Sequence, residues 1–137
     1  MKLSDIKVDP AVIEQGDWVD DLPNMPGVRI KARGVSNSDY RKLEAKLVRQ
    51  IPKALRAEGL SPAQSDRILG RCLLETVVLD VDGLTEDDEV TPIKYTRELG
   101  EKLLLDPEWK EFRAAAAHAG SVVDSRRKSE IADDAKN

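Results

Sequence analysis

Apolar and basic residues alternate from residue 28 to residue 33, with the period of two that a half-buried β-strand requires. A shorter β-prone pair, Trp18-Val19, lies upstream, and the residues between the two runs are typical of turns. The pattern predicts a two-stranded β-ribbon at residues 16–34. Because such a ribbon is marginal in water on its own, it should pack on the rest of the chain. Its expected inner face carries Val28, Ile30 and Ala32, and its outer face carries Arg29, Lys31 and Arg33.

Beyond residue 36, apolar residues recur every three or four positions, which is the spacing of one helix face. Helices are predicted at residues 37–56, 61–79, 96–105 and 107–119. Pro52 cannot donate a backbone hydrogen bond and crowds the preceding turn, so the first helix should kink or end near Ile51. Ser61-Pro62 is a strong start for the second helix. The residues expected in the core are Val28, Ile30, Leu43, Leu47, Ile68, Cys72, Leu73, Leu99, Leu103, Trp109 and Phe112.

These elements predict an α+β, predominantly helical fold, in which the ribbon packs on a bundle of about four helices. Residues 1–120 are expected to form a single globular domain, and Gly120 is the expected stop of the last helix. The acidic residues 80–91 are typical of a solvated loop. Residues 121–137 contain four basic and four acidic side chains but few large apolar ones, so they predict a polar tail that is frayed or partly helical.

The charge balance narrows the classes of partner. The chain has 22 basic and 26 acidic residues and a net charge of −4, which is not typical of a general nucleic-acid binder. Residues 36–57 are the exception, with six basic and two acidic side chains. A small nucleic-acid-binding regulator that uses this helix is therefore an alternative function. The main prediction is that the protein does not bind nucleic acid.

Cysteine usage and hydropathy indicate the compartment. The single cysteine, Cys72, excludes an internal disulfide and fits a reducing environment. The N-terminus has no signal-peptide pattern, and no apolar run is long enough to span a membrane. We therefore expect a soluble, cytoplasmic protein that does not bind membranes.

The chemistry-bearing residues predict neither catalysis nor a metal site nor a cofactor. The acidic loop has Asp80 and Asp82 at the spacing of a calcium loop, but Thr85 and Thr91 occupy the positions that need Gly and Glu. Cys72 lies in line with a helical apolar face, where a free cysteine behaves as a small hydrophobic residue. The only histidine has no supporting motif, and no glycine-rich phosphate loop is present. The sequence predicts a binding protein without enzymatic activity.

The basic outer face of the ribbon is the candidate surface for a protein partner. If its edge is unpaired, the ribbon can accept a strand of another chain or pack on a partner helix. Trp18 and Tyr40 lie near this face and are candidates both for the core and for a partner surface, because the chain has few other large groups. The candidate partner-binding residues are Trp18, Arg29, Lys31, Arg33 and Tyr40.

A series of motifs runs along the chain in a fixed order. The N-terminal pattern consists of Gly16-x-Trp18-Val19, then Val28-x-Ile30-x-x-Arg33-Gly34, then Asn37 and Tyr40. A helix leading to Gly83-Leu84, a Pro-Ile-x-Tyr-Thr segment and a Leu-Leu-Leu-Asp-Pro run at residues 103–107 follow. This order resembles that of the tail assembly chaperones of long-tailed bacteriophages and prophages, and the resemblance covers roughly residues 14–120.

The resemblance implies a non-enzymatic, mostly helical protein that acts in the host bacterial cytoplasm during assembly and is absent from the mature virion. Its expected partners are the tape-measure protein, which it coats, and the tail-tube protein, whose subunits it helps to recruit. Self-association into a homo-oligomer is left open. The alternative in the same viral setting is a minor structural protein of the particle, of the head–tail completion type.

Overall fold

A computed structural model describes residues 1–128, and the fold is α+β and predominantly helical, as predicted. The helices are α1 (Pro10–Gln15), α2 (Ser38–Arg49), α3 (Lys53–Arg56), α4 (Pro62–Cys72), α5 (Arg97–Leu105) and α6 (Lys110–Asp124). The strands are β1 (Asp17–Val19), β2 (Arg29–Ala32) and β3 (Val78–Asp82). Short 3-10 turns lie at Leu3–Ile6 and Pro107–Trp109, and a π turn lies at Leu73–Val77.

The predicted ribbon is two thirds of an antiparallel sheet with the order β1-β2-β3. Lys31 of β2 pairs with Trp18 on one side and with Asp80 on the other. The expectation of two strands alone was therefore wrong. Residues 78–79 were assigned to a helix and residues 80–82 to a loop, whereas their backbone groups pair with β2. A bulge at Leu79 lies where the register shifts between Lys31 and Ala32.

The second predicted helix ends earlier than residue 79. Its α-helical part stops at Cys72, and one π turn then passes directly into β3. The Thr76 hydroxyl donates to the Cys72 carbonyl at 2.8 Å, which satisfies a carbonyl group near the helix end. The β-branched pair Val77-Val78 marks the change to extended backbone, as β-branched residues favour.

The first predicted helix is divided by Pro52. Helix α2 ends at Arg49, and Pro52 precedes the single turn of α3. The start of α4 has the predicted chemistry: the Ser61 hydroxyl accepts from the Gln64 N–H at 3.2 Å, and the Gln64 side chain accepts from the Ser61 N–H at 3.0 Å. The helices therefore begin and end largely where local side-chain chemistry allows.

The last helix continues past the predicted stop at Gly120 and ends at Asp124. Gly120 permits a close approach, since a Cβ there would lie 2.8 Å from the Val35 side chain. Val123 is fully buried, so residues 121–124 are not a frayed tail. Residues 129–137, the rest of the predicted tail, lie outside the described residues.

Helix α6 packs against β1 and β2 and closes the core over the inner face of the sheet. Alternation in β2 is as predicted, because Ile30 and Ala32 are buried while Arg29 is exposed. Of the expected core residues, these are buried: Val28, Ile30, Cys72, Leu73, Leu103 and Phe112. These are half-buried: Leu43, Leu47, Ile68 and Leu99.

Trp109 was wrongly expected in the core, since 39% of its surface is exposed. It lies on the turn between α5 and α6, where Lys102 places its ammonium 5.2 Å from the centre of the indole ring. Phe112, three residues later, points into the core instead. The helical spacing therefore predicted the burial of Phe112 correctly, whereas Trp109 lies on a turn and stays exposed.

Candidate functional site: an open helical arm

The outer face of the sheet carries acidic side chains beside the predicted basic ones. Arg29 forms an ion pair with Asp82 at 2.9 Å, and its guanidinium lies 4.6 Å from the centre of the Trp18 ring. Lys31 pairs in register with Asp80. Strand β3 thus brings acidic residues next to the basic ones of β2. The predicted basic docking face is charge-balanced, and its acidic half was missed because β3 was missed.

Arg33, a predicted partner-binding residue, is engaged inside the molecule. Its guanidinium reaches the carboxylates of Glu14 and Asp39 at 2.9 Å each. Its Nε also donates to the Glu14 backbone carbonyl at 2.7 Å. Only 15% of the Arg33 side chain is exposed. Arg33 therefore joins α1 to the start of α2 and is not available to a partner.

Glu14 also binds the first turn of α2. Its carboxylate accepts from the Ser38 backbone N–H at 2.8 Å and from the Ser38 hydroxyl at 3.1 Å. The backbone hydrogen bond from Ser38 is the main cause that lowers the pKa of Glu14, and Arg33 adds to it. A carboxylate at a helix N-terminus also complements the helix dipole. The start of α2 is thus fixed from the side of α1.

Asn37 fixes the same start from below and is fully buried. Its side-chain oxygen caps α2 by accepting from the N–H groups of Asp39 and Tyr40, at 3.0 and 2.9 Å. Its amide nitrogen donates to the carbonyls of Gly34 and Thr76, at 2.8 and 2.9 Å. All four hydrogen bonds of one amide are satisfied, and they join α2 to the π turn.

From this anchored start, residues 38–69 form a segment that we call the helical arm, and no residue of the helical arm is buried. Its apolar side chains meet between α2 and α4, where Tyr40, Leu43, Leu47, Ile68 and Leu69 are half-buried. Burial raises the pKa of Tyr40 to about 12. Leu55 and Leu60, by contrast, are 60% and 37% exposed. We call the half-buried apolar contact between α2 and α4 the apolar seam, and solvent reaches part of it.

Two open grooves flank this seam, and Ile68 lines both. The Leu60 groove has a volume of about 730 Å³ and is lined by Tyr40, Arg41, Glu44, Ala45, Val48, Arg49, Leu60, Ser65, Asp66, Ile68 and Leu69. The Leu55 groove has a volume of about 650 Å³ and is lined by Leu47, Gln50, Ile51, Pro52, Leu55, Gln64, Arg67, Ile68, Arg71 and Leu105. The charged side chains of the Leu60 groove are of both signs, whereas those of the Leu55 groove are all arginines.

Basic side chains of the arm and its edge are left without ion pairs. Residues 38–72 contain eight basic and four acidic side chains, and among the described residues none of the eight lies within 4.0 Å of a carboxylate. The net charge of the whole chain is −4. The arm is therefore a positively charged element on an acidic molecule.

Cys72 and His118, the two residues considered for nucleophilic catalysis, differ in exposure. Cys72 is fully buried, and burial raises the pKa of its thiol to about 11. His118 is exposed on α6. Across residues 1–128, no cluster of three or more His, Cys, Asp or Glu side chains could hold a metal ion. Within the same range, no helix is long and apolar enough to cross a membrane.

Of the predicted partner-binding residues, only Tyr40 lines a groove of the arm. Trp18, Arg29 and Lys31 lie on the charge-balanced sheet, and Arg33 is internal. Sequence reasoning missed Leu55, Leu60, Arg67 and Arg71. The available signal was the surplus of apolar and basic residues around Pro52, which exceeds what one buried helix face needs.

The same arm lies within the part of the chain that matches a known family. The family described as YdaY prophage protein matches residues 35–137, which is more than half of the chain. The chain belongs to this family. It is thus a prophage-derived protein, and the matched range includes Asn37 and the whole helical arm. No curated protein and no solved structure matches the chain. Because the family description mentions no tail protein, the tail assembly chaperone stays a hypothesis.

Proposed function

We propose that this protein is a tail assembly chaperone of its prophage. It binds the tape-measure protein in the host bacterial cytoplasm, helps to recruit tail-tube subunits, and performs no catalysis. Membership of a prophage family and the resemblance in the order of motifs support the viral setting. The observation that carries the proposal is the helical arm, a run of 32 residues of which none is buried, with two exposed leucines and two open grooves beside its apolar seam.

An open apolar seam fits a protein that holds another chain. A contiguous exposed apolar surface with a polar rim marks an interaction site, because leaving it in water costs free energy. Two packed helices with apolar grooves beside them are suited to receive an amphipathic helix. A long helical tape-measure protein offers such helices before its tail tube is assembled around it. The arm would shield these segments from aggregation.

Co-expression tests the proposal. The chain is produced together with the large helical protein encoded downstream in the same prophage, and one of the two is purified by affinity. We expect the two to co-purify and the partner to stay soluble only in company. A Leu55→Ser variant should sharply reduce both effects, whereas Val90→Ser, which changes a residue that is 79% exposed in the acidic loop, should reduce neither.

Two outcomes would overturn the proposal. A partner that is equally soluble alone and never co-purifies removes the chaperone. Recovery of this chain in purified virions, at a fixed number of copies, would instead show a minor structural protein of the particle.

The unpaired basic residues of the arm favour a second candidate, a small nucleic-acid-binding regulator. Eight basic side chains lie at residues 38–72, and phosphate contacts would give binding a steep dependence on salt. Retention of duplex DNA at about 50 mM salt, lost at about 200 mM, would support this function. Absence of retention at the lower concentration would exclude it.

A further inference from the structure

The Leu55 groove combines apolar walls with an unbalanced positive charge. Its apolar lining consists of Leu47, Ile51, Pro52, Leu55, Ile68 and Leu105. Its polar lining consists of two glutamines and two arginines, with no carboxylate. We propose that this groove binds an acidic amphipathic α-helix, and under the proposed function that helix belongs to the tape-measure protein.

The two arginines are positioned to receive carboxylates. Arg67 and Arg71 are four residues apart on α4, so they lie one above the other on one side of the helix. Glu75, the carboxylate one turn further on, accepts two hydrogen bonds from the Arg97 guanidinium, and its electrostatic interaction with Arg71 is weaker. Neither groove arginine has a carboxylate within 4.0 Å in the described part of the chain. A glutamate pair on a bound helix would supply the missing charge.

The apolar walls set the spacing on the bound helix. Leu55 lines the groove together with other apolar residues, and it is 60% exposed. Most of its surface is therefore accessible to a bound helix. Along α4, the lining of the groove runs from Gln64 to Arg71, which spans about 10 Å. A bound helix of at least two turns matches this length, with apolar residues at positions i, i+3 or i+4, and i+7. Glutamates flanking that stripe would reach Arg67 and Arg71.

Charge also distinguishes the two grooves. The Leu60 groove contains Glu44 and Asp66 beside its two arginines, so it attracts an acidic helix less than the Leu55 groove, which has no carboxylate. Asp66 itself is paired with Arg113 at 3.6 Å. Leu60 and the arginines of that groove therefore provide matched control positions on the same arm.

Peptide binding tests the proposal directly. One labelled 18-residue helical peptide carries leucines at i, i+3 and i+7 spacing with glutamates beside them, and a second carries lysine in place of every glutamate. Binding to the full-length protein is followed by fluorescence anisotropy. We expect the acidic peptide to bind and the basic peptide to bind at least about tenfold more weakly, because the groove arginines attract one and repel the other.

Variants then locate the binding surface. Leu55→Ser should weaken binding of the acidic peptide about tenfold or more, because it removes one buried leucine from the interface, whereas Leu60→Ser should leave it nearly unchanged. Arg67→Gln/Arg71→Gln should weaken binding several-fold at low salt and little at high salt. Arg41→Gln/Arg49→Gln is the matched control in the Leu60 groove. Circular dichroism confirms that each variant is folded.

Each other result overturns the proposal. Equal binding of both peptides, or equal effects of Leu55→Ser and Leu60→Ser, removes the charge-selective groove. Duplex DNA that displaces the acidic peptide with a steep salt dependence would assign the arginines to nucleic acid. If Leu55→Ser and the peptide each lower the molecular mass measured by sedimentation, the groove would instead bind a second copy of this chain.

The test separates this proposal from the function on which it rests. If the acidic peptide fails to bind but the tape-measure protein still co-purifies, the groove proposal falls and the chaperone stands on another surface. If the peptide binds as expected and the co-expressed partner does not co-purify, the chaperone falls and the groove stands.

Discussion

At the scale of single residues, Asn37 has the greatest structural importance relative to its size. It is fully buried and uses both donors and its acceptor oxygen within the molecule. Its amide links the loop after β2, the N-terminus of α2 and the Thr76 carbonyl at the π turn. Replacement by alanine removes all four of these hydrogen bonds at once.

Asn37→Ala should therefore destabilise the protein by about 2 kcal/mol, since it removes a helix cap and the two amide hydrogen bonds to the Gly34 and Thr76 carbonyls, each of which keeps one other donor. Urea denaturation of the purified variant measures this loss. Gln15→Ala, at an exposed position in α1, should change the free energy of unfolding by less than about 0.5 kcal/mol. A loss in Asn37→Ala no larger than in this control would show that the amide contacts are dispensable.

Carboxylate titration gives a second residue-scale prediction. Hydrogen bonding from Ser38 holds the pKa of Glu14 below its usual 4.5, and hydrogen bonding from Thr91 holds the pKa of Asp88 below its usual 3.8. A carboxylate whose pKa is lower in the folded state stabilises fully above its unfolded pKa, and this stabilisation is lost as pH falls through the folded value. Both groups should therefore make the protein less stable in acid.

Glu14→Gln and Asp88→Asn should each flatten the fall in stability between about pH 5 and pH 3, as followed by urea denaturation across that range. The two carboxylates share no hydrogen-bond partner among those that lower their pKa values, so their effects on the slope should add in the double variant. An unchanged slope in Glu14→Gln would mean that the Ser38 hydrogen bonds do not persist in solution.

At the scale of elements, two buried helical glycines differ in what they touch. A Cβ at Gly70 of α4 would lie 2.3 Å from the Leu104 backbone oxygen of α5. A Cβ at Gly100 would meet the Tyr95 hydroxyl at 2.4 Å, which is the end of a side chain. A side chain can rotate away, whereas a helix backbone must move as a whole.

Gly70→Ala should therefore destabilise the protein by about 1–2 kcal/mol, because overpacking against backbone outweighs the higher helix propensity of alanine. Gly100→Ala should cost less than about 0.5 kcal/mol, since the gain in propensity offsets the movement of Tyr95. Thermal unfolding of both variants side by side makes the comparison. Equal stability of the two would contradict a close contact between α4 and α5.

The elements also show how far the sequence alone can lead. Signals carried by adjacent residues were sufficient for β2, for the break at Pro52 and for the cap at Ser61. Strand β3 escaped because its residues continue the apolar face of α4, and only pairing with β2 decides between strand and helix. The partners of Arg33 escaped for a similar reason: Glu14 is 19 residues away in sequence. The open seam of the arm escaped because a helical period predicts an apolar face without stating what covers it.

At the scale of the whole molecule, the segment after α6 holds the N-terminal segment against the sheet. The Arg126 guanidinium forms an ion pair with Asp17 and donates to the Trp18 carbonyl at 3.1 Å. The backbone carbonyl of Arg126 accepts a hydrogen bond from the Asp9 N–H at 3.0 Å, and Val8 forms an antiparallel β-bridge with Arg127. Residues near both ends of the described chain thus close on one another.

Arg126→Ala should release the N-terminal segment and raise the rate of tryptic cleavage after Lys7 several-fold, because proteolysis follows local opening. Mass spectrometry of a timed digest identifies the site. Arg29→Gln breaks an exposed ion pair on the same sheet without touching residues 1–9 and should leave cleavage after Lys7 unchanged. A similar rate in Arg126→Ala and in the parent would show that other contacts hold the segment.

The direct passage from the π turn into β3 has a mechanical consequence for the arm. Helix α4, the turn Leu73–Val77 and β3 form one unbroken run of hydrogen-bonded backbone, so no slack chain separates the arm from the sheet. A load that tilts α4 must bend the π turn or strain the pairing of β3 with β2. The sheet therefore resists tilting of the arm, and the stiffness of residues 73–77 determines how far α4 can tilt.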